Sequence, residues 1–268
     1  MSRHEYPSLR QGLIRAWCPS LGASGMTLID RSGRNAHGTL TGMAAQDNWQ
    51  ASGSGVALNF DGADDYVACG ATLTGAFTHS SWFWQRTLGT NSNRVVHGNT
   101  GSGNVYVSSI RATQVVIQGD VIGTRTFAAS ISLQKWTHIC VLRDVDSLLS
   151  VFIDGVRSTT APQTFTSVIT LNALGRYANA VGGNAPFQWD GYLDDIRIYD
   201  RAITPAEIRL LASRRGIGLT PLPDRAAGMP RKLFVNVGGT WRDGDAYVNV
   251  GGAWKLGTPF VNAGGTWK

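Results

Sequence analysis

Gly191-Tyr-Leu-Asp-Asp-Ile-Arg-Ile-Tyr-Asp-Arg-Ala-Ile-Thr-Pro-Ala-Glu207 reads as a β-strand that runs straight into the start of a helix. Ile196, Ile198 and Tyr199 are β-branched or aromatic residues of the kind that fit a pleated, half-buried surface. Thr204-Pro205-Ala206-Glu207 then supplies an N-cap hydroxyl, a proline at N1 and a glutamate at N3, which together form a capping box. Ile208, Leu211 and Ala212 continue at helical spacing. Arg214 and Arg215 suit the negative end of the helix dipole, and Gly216 suits C′. One strand followed by one short helix is therefore expected at the end of the main body.

Upstream, short runs of alternating or continuous apolar residues predict strands and no further helix. They are Gly55–Phe60, Tyr66–Cys69, Trp82–Gln85, Arg94–Val96, Asn104–Ile110, Gln114–Gln118, Trp136–Arg143, Leu148–Ile153, Thr170–Leu174 and Tyr192–Tyr199. Clusters of Gly, Asn, Asp and Ser separate them, which is turn chemistry. Asp154-Gly155 is a two-residue hairpin turn. Many strands without interposed helices predict an all-β sandwich or jelly roll.

Composition agrees. The 268 residues include 33 Gly and 9 Trp, with 43% hydrophobic and 16% charged residues. That apolar content excludes intrinsic disorder. The net charge of +6 is uneven: residues 1–195 carry 13 basic and 13 acidic side chains, residues 196–268 carry 11 and 5. The basic residues form no run, which argues against nucleic acid as a partner. Cys18, Cys69 and Cys140 are far apart and odd in number, so neither a disulfide framework nor a cysteine zinc site is expected. Residues 1–17 show no apolar core of a signal peptide. Tyr66–Gln85 lacks charge but is too polar to insert into a membrane.

The end of the chain is a repeat of period 13. Phe234-Val-Asn-Val-Gly-Gly-Thr-Trp241 is followed by Tyr247-Val-Asn-Val-Gly-Gly-Ala-Trp254 and Phe260-Val-Asn-Ala-Gly-Gly-Thr-Trp267. Each unit predicts a small β-hairpin, marginal by itself. Phe234, Trp241, Tyr247, Trp254, Phe260 and Trp267 are then candidates for oligomerisation or docking, with sugar-binding platforms as the alternative. The domain plan is an N-terminal arm at 1–11, a jelly roll at 12–215, a proline-containing linker at 216–232 and the hairpin repeats at 233–268.

Six blocks now stand in order: Gly12-Leu-Ile-Arg-Ala-Trp17, Leu28-Ile-Asp-Arg-Ser-Gly-Arg-Asn-Ala-His-Gly-Thr-Leu40, Ala57-Leu-Asn-Phe-Asp-Gly-Ala-Asp-Asp-Tyr-Val67, Lys135-Trp-Thr-His-Ile139, Val151-Phe-Ile-Asp-Gly155 and the opening stretch. This series resembles the laminin-G-like jelly rolls of the concanavalin A-like lectin/glucanase superfamily, over about residues 12–213. The C-terminal repeats resemble those of bacteriophage tail and virion proteins. The resemblance implies a jelly-roll β-sandwich with one short C-terminal helix, followed by the hairpins.

It also frames the candidate sites. Glucanase relatives need a carboxylate pair in an E-x-D-x-x-E strand. This chain has only Glu5 and Glu207, and the second belongs to a helix cap, so no catalytic residue and no enzyme is expected. Zinc-protease, nucleophile-elbow and phosphate-loop signatures are missing as well. Many laminin-G-like domains hold calcium, which the resemblance implies here through Asp30, Asn35, Asp61, Asp194 and Asp195. The alternative is that these residues cap turns. Sugar contacts would come from Trp82, Trp84, Tyr177 and Trp189, with Trp49 also considered. Trp82 and Trp84 share one strand face and Phe83 takes the other. The expected function is a non-enzymatic bacteriophage virion protein, a capsid or tail decoration or fibre assembled in the host cytoplasm. Its expected partners are other virion proteins, further copies of itself and a host-surface glycan. An adsorption lectin is the alternative, and a glycan-degrading enzyme the third reading.

Overall fold

The structure is a computed structural model. It describes residues 6–43, 48–53, 55–88, 94–101, 105–119, 123–177 and 187–219, together with the strand backbone within 232–267. The chain divides into two units, His4–Leu222 and a second comprising Met1–Arg3 with Pro223–Lys268.

In the larger unit the strands are, in chain order, β1 (Leu13–Trp17), β2 (Thr27–Leu28), β3 (Gly38–Thr41), β4 (Trp49–Ala51), β5 (Val56–Asp61) and β6 (Tyr66–Leu73). Next come β7 (Phe77–Gln85), β8 (Arg94–Gly98), β9 (Tyr106–Arg111), β10 (Gln114–Gln118), β11 (Thr124–Ala128) and β12 (Trp136–Arg143). The last are β13 (Leu148–Ile153), β14 (Val156–Arg157), β15 (Gln163–Thr164), β16 (Ile169–Leu174) and β17 (Asp190–Tyr199), followed by α1 (Pro205–Ser213). Two sheets result. The first has nine strands in the order β14-β13-β12-β7-β17-β5-β4, with β1 also beside β17 and β15 beside β13. The second has eight, β11-β10-β9-β8-β16-β6-β3-β2. The central pairings are antiparallel, and the two sheets enclose one apolar core. This is the expected jelly-roll sandwich.

Strand β7 shows how the core is assigned. Phe77 and Phe83 join the cluster between the sheets, and Phe83 meets Trp189 edge-on at 5.5 Å. Trp82 and Trp84 therefore face outward. The strand begins at Phe77, five residues before the expected Trp82. Part of its polar run pairs internally: Thr78 donates to the Arg201 carbonyl at 2.7 Å, and the Ser80 hydroxyl lies 2.8 Å from His138 Nε2. The Asp154-Gly155 turn closes Ile153 against Val156 with φ of +49° and +78°, the double left-handed conformation of a two-residue hairpin.

A second apolar cluster covers part of the outward face of the nine-stranded sheet. Cys140, Leu142, Phe152 and Tyr199 of the sheet pack with Leu9, Ile203, Ile208, Leu211, Ile217 and Leu219. Two expected boundaries are corrected by it. Residues 6–11 are not a free arm: Pro7–Arg10 forms a 3-10 turn, Leu9 is fully buried and the Tyr199 hydroxyl donates to its carbonyl. Residues 216–219 are not linker, since Ile217 and Leu219 are buried in the same cluster. The apolar side chains hold both segments on the sheet. Gly216 lies beyond the C-cap Arg214 rather than at C′, in a left-handed turn with φ +73°.

The capping box is formed. Thr204 accepts from the Glu207 amide at 3.3 Å, and Glu207 accepts from the Thr204 amide at 2.8 Å. Thr204→Ala is expected to cost about 1 kcal/mol. Urea denaturation of the variant measures it, and an unchanged midpoint would contradict the assignment.

In the smaller unit the backbone forms three separate two-stranded antiparallel ladders, in which Val237 pairs with Thr240, Val250 with Ala253 and Ala263 with Thr266. The side chains of Phe234, Trp241, Tyr247, Trp254, Phe260 and Trp267 lie outside the described residues. Among the described residues no helix is long and apolar enough to cross a membrane.

Candidate functional site

Where the second cluster ends, the outward face of the nine-stranded sheet presents a row of aromatic side chains. Trp136 of β12 is in register with Trp84 of β7, and Trp84 is in register with Tyr192 of β17. All three are partly exposed. The Trp84 and Tyr192 rings lie 5.0 Å apart and tilted, and the Trp136 and Tyr192 rings stack at 6.3 Å and 27°. Asn59 of β5 pairs with Tyr192 and extends the row to a fourth strand. The sequence offered Trp84 as a candidate, with alternation leaving open whether its face or that of Phe83 is the core face. Trp136 and Tyr192 sit in the Lys135–Ile139 and Gly191–Glu207 blocks, and only the strand order brings them to Trp84.

Arginines hold the row in place. The Arg215 guanidinium lies 4.0 Å from the Trp136 ring centre, and that of Arg86 lies 5.6 Å from the Tyr192 ring centre. Such cation–π contacts fix ring orientation. Arg86 also donates to Asn59 at 2.7 Å, to the Phe60 carbonyl at 3.1 Å and to the Asp190 carboxylate. Thr87 donates to Asp190 too, and Arg94 approaches it at 3.7 Å. Arg215 meets Ser52 at 2.9 Å and Asp194 at 3.2 Å.

The other aromatic candidates have different roles. Trp189 has no exposed surface and is a core residue, so the sugar-contact expectation is corrected there. Trp82 donates its indole N–H to the Leu211 carbonyl at 3.0 Å and lies beside His138, which ties α1 to the sheet. Tyr177 is 6% exposed and packs between Tyr106 and Phe187 on the other sheet, and the loop that follows it lies outside the described residues. Trp49 donates to the Gly25 carbonyl at 2.8 Å.

The expected calcium ligands are not gathered. Asp30 accepts from the amides of Ala16, Ser32 and Ala36 and from the Ser32 hydroxyl, as a turn-capping aspartate does. Its burial raises the carboxyl pKa, and these bonds more than reverse that, leaving it below the usual value. Asn35 is exposed, in a left-handed conformation with φ +56°. Asp195 holds the fully buried Arg197 through two bonds of 2.7 and 2.8 Å and accepts from the Gly216 amide at 2.7 Å. Asp194 accepts from the amides of Ser20 and Asp195 and faces Arg215. Burial, with Asp195 alongside, pushes its carboxyl up to about 6. Among the described residues Asp61 groups instead with Asp64 and Asp65, their ligand oxygens within 4.8 Å of one another. That donor set suits a hard, oxygen-ligating cation of the calcium type.

The buried Ser80–His138 contact has the elements of a nucleophile and a base, but neither residue is exposed and burial lowers the His138 pKa to about 3. A groove of about 370 Å³ lies between Ala128–Ser130 and Val156–Thr159, away from the aromatic row, and Arg157 is its only ionisable side chain.

A protein-family model described as the concanavalin A-like lectin/glucanases superfamily, of laminin G type, matches residues 61–209. The chain belongs to this family. Among solved structures, Trypanosoma rangeli sialidase in complex with sialic acid is similar at a TM-score of 0.54 and 18% identity, over 75% of this chain and 32% of the sialidase chain. Domain 4 of AbnA, a GH43 extracellular arabinanase from Geobacillus stearothermophilus, in complex with arabinotriose, is similar at 0.50 and 19%, over 75% of this chain and 98% of that domain. The chain thus spans about a third of the sialidase's length. At these identities the likeness concerns the fold. Curated protein sequences give no match.

Proposed function

We propose that the larger unit is a non-enzymatic glycan-binding domain whose contact surface is the row Trp136–Trp84–Tyr192. The observation that carries this reading is the register of three partly exposed aromatic residues on adjacent strands, clamped by arginines. Aromatic rings offer an apolar face for a sugar ring, and nearby amides and carboxylates suit its hydroxyls. The sialidase and arabinanase structures are bound to sugars in their own right, which makes saccharides the ligand class to test first.

Two acidic side chains, Glu207 and Asp194, favour a binding role over hydrolysis. Glu207 is held by Arg201 at 2.7 Å and by its helix cap. Asp194, with a raised pKa suited to a general acid, has no exposed surface. Neither is placed to serve as one of the two carboxylates that glycosidases use.

We further propose that the C-terminal repeats attach this domain to a bacteriophage particle, as capsid or tail decoration or as fibre, together with other copies of the chain. The repeats and the basic excess of residues 196–268 support this reading.

A glycan array probed with the whole protein and with Trp84→Ala and Trp136→Ala tests the binding site. Binding by the parent and loss in both variants is expected. Equal binding by all three would reject the row, and release of reducing ends from a bound polysaccharide would reject the non-enzymatic reading. Loss of binding in EDTA that calcium restores, and that Asp61→Asn reproduces, would assign a calcium ion to Asp61, Asp64 and Asp65. Mass spectrometry of purified particles checks the virion assignment, which fails if the chain is missing from them.

A further inference from the structure

The charges around the aromatic row specify the ligand more closely, on the reading that the row binds glycan. Among the described residues, the two guanidinium groups that lie over the row's rings are each paired with a carboxylate, and the neighbouring Lys135 is paired as well. Arg215 is paired with Asp194 at 3.2 Å, Lys135 with Asp154 at 3.9 Å, and Arg86 with Asp190. Arg86 and Arg215 lie over Tyr192 and Trp136 as clamps, with their charge already matched within the protein.

The Tyr192 end is acidic. Two residues along the same outward faces, Asp190 pairs with Asp61. The turn that follows adds Asp64 and Asp65 to Asp61 in one cluster. Arg86 and Arg94 face Asp190, and the cluster of Asp61, Asp64 and Asp65 adds further carboxyl groups at this end. With no cation held by Asp61, Asp64 and Asp65, a uronate, sialate, sulfate or phosphate group approaching this end would meet a surplus of like charge, so the titrations are run in EDTA. At an interface such juxtaposition costs affinity and suppresses the wrong partner.

The direction of the row is also defined. Trp136, Trp84, Tyr192 and Asn59 occupy register positions on four adjacent strands, about 14 Å from end to end at the usual strand spacing. A ligand matching it runs across the strands and not along them.

We propose that the row binds a neutral, linear oligosaccharide lying across β12, β7, β17 and β5. The clustered rings, 5.0–6.3 Å apart between centroids, meet an apolar sugar face together, and Asn59 meets hydroxyls of the next unit.

Calorimetric titration of the whole protein with maltotriose, cellotriose and mannotriose, against trigalacturonate and sialyllactose, at low and high salt, tests this. A neutral trisaccharide is expected to bind, more tightly than its monosaccharide and with little dependence on salt. Trp84→Ala should weaken it roughly tenfold, as the loss of one stacked ring does. Val145→Ala, at an exposed position outside the row, should bind like the parent, and an unfolding midpoint of Trp84→Ala close to that of the parent controls for folding. Tighter binding of the acidic sugars, weakened by salt, would overturn the neutral assignment and leave the glycan reading standing. Binding of none of the sugars would overturn the glycan reading and this inference with it.

Discussion

Asp195→Ala is expected to lower the unfolding free energy by about 3–5 kcal/mol, the usual consequence of stranding a buried charge. Arg197 has no exposed surface, and Asp195 holds it through two hydrogen bonds. Burial works against the guanidinium charge, and Asp195 outweighs it, so the Arg197 pKa stands above its usual value. Removing the carboxylate leaves the cation in the sheet and also strips the Gly216 amide of its acceptor. Asp195 has φ +47° where the pairing of β17 with β7 shifts register between Asp194 and Arg197. Asp195→Asn keeps a residue that tolerates this conformation and isolates the charge. Both variants should lose stability in urea denaturation at neutral pH. The double variant Asp195→Ala, Arg197→Met should recover part of the loss, because no orphaned charge remains. A loss below about 1 kcal/mol in both single variants would show that water or another group satisfies Arg197.

The second large effect is acid lability. Burial depresses the pKa of His79, His97 and His138, the latter two to about 3. His79 and His97 face each other across the core at 3.2 Å, so a proton on either would be unscreened. The unfolded chain takes up a proton on each near pH 6.5, while in the folded chain His97 and His138 do not until about pH 3 and His79 is shifted in the same direction. Stability therefore falls as pH drops through this window, by about 2 kcal/mol at pH 5 for each of His97 and His138, with His79 acting in the same sense. Asp194 and Asp65 act in the opposite sense. Burial raises both to about 6, so each favours the fold as pH falls from there toward 4. Three histidines outweigh two carboxylates, and net destabilisation is expected below pH 6. Unfolding midpoints from pH 7 to pH 4.5 measure it. His138→Gln should flatten the slope by about one proton. A midpoint independent of pH would contradict the buried neutral histidines.

Some of this architecture was legible in local sequence. The bounds of β10, β12 and β13 follow from their apolar runs, and the Thr204–Glu207 capping box and the Asp154-Gly155 turn follow from side-chain chemistry within four residues. These features depend on near neighbours, so the chain order contains them. Alternation along β7 separated Phe83 from Trp82 and Trp84 but left open which face is core. Trp189, which arrives from a distant strand, settles that question by packing on Phe83. The aspartates show the same division. As letters, Asp30, Asp61, Asp194 and Asp195 are equivalent oxygen donors. In the fold, Asp194 faces Arg215, Asp195 holds Arg197, Asp30 caps a turn, and Asp61 joins its own neighbours.

The candidate site was legible only in fragments for the same reason. Trp84 is visible as a candidate on one face of a strand, but a row needs three strands, and register across strands is set by long-range pairing. The chain order by itself determined the longer strands, several turns, the helix cap and an all-β sandwich or jelly roll, because periodicity and turn chemistry are local, and the resemblance to laminin-G-like domains narrowed this to the jelly roll. Tertiary structure alone decided which aromatic residues share a surface and which charges cancel, because both depend on distances between residues far apart in the chain.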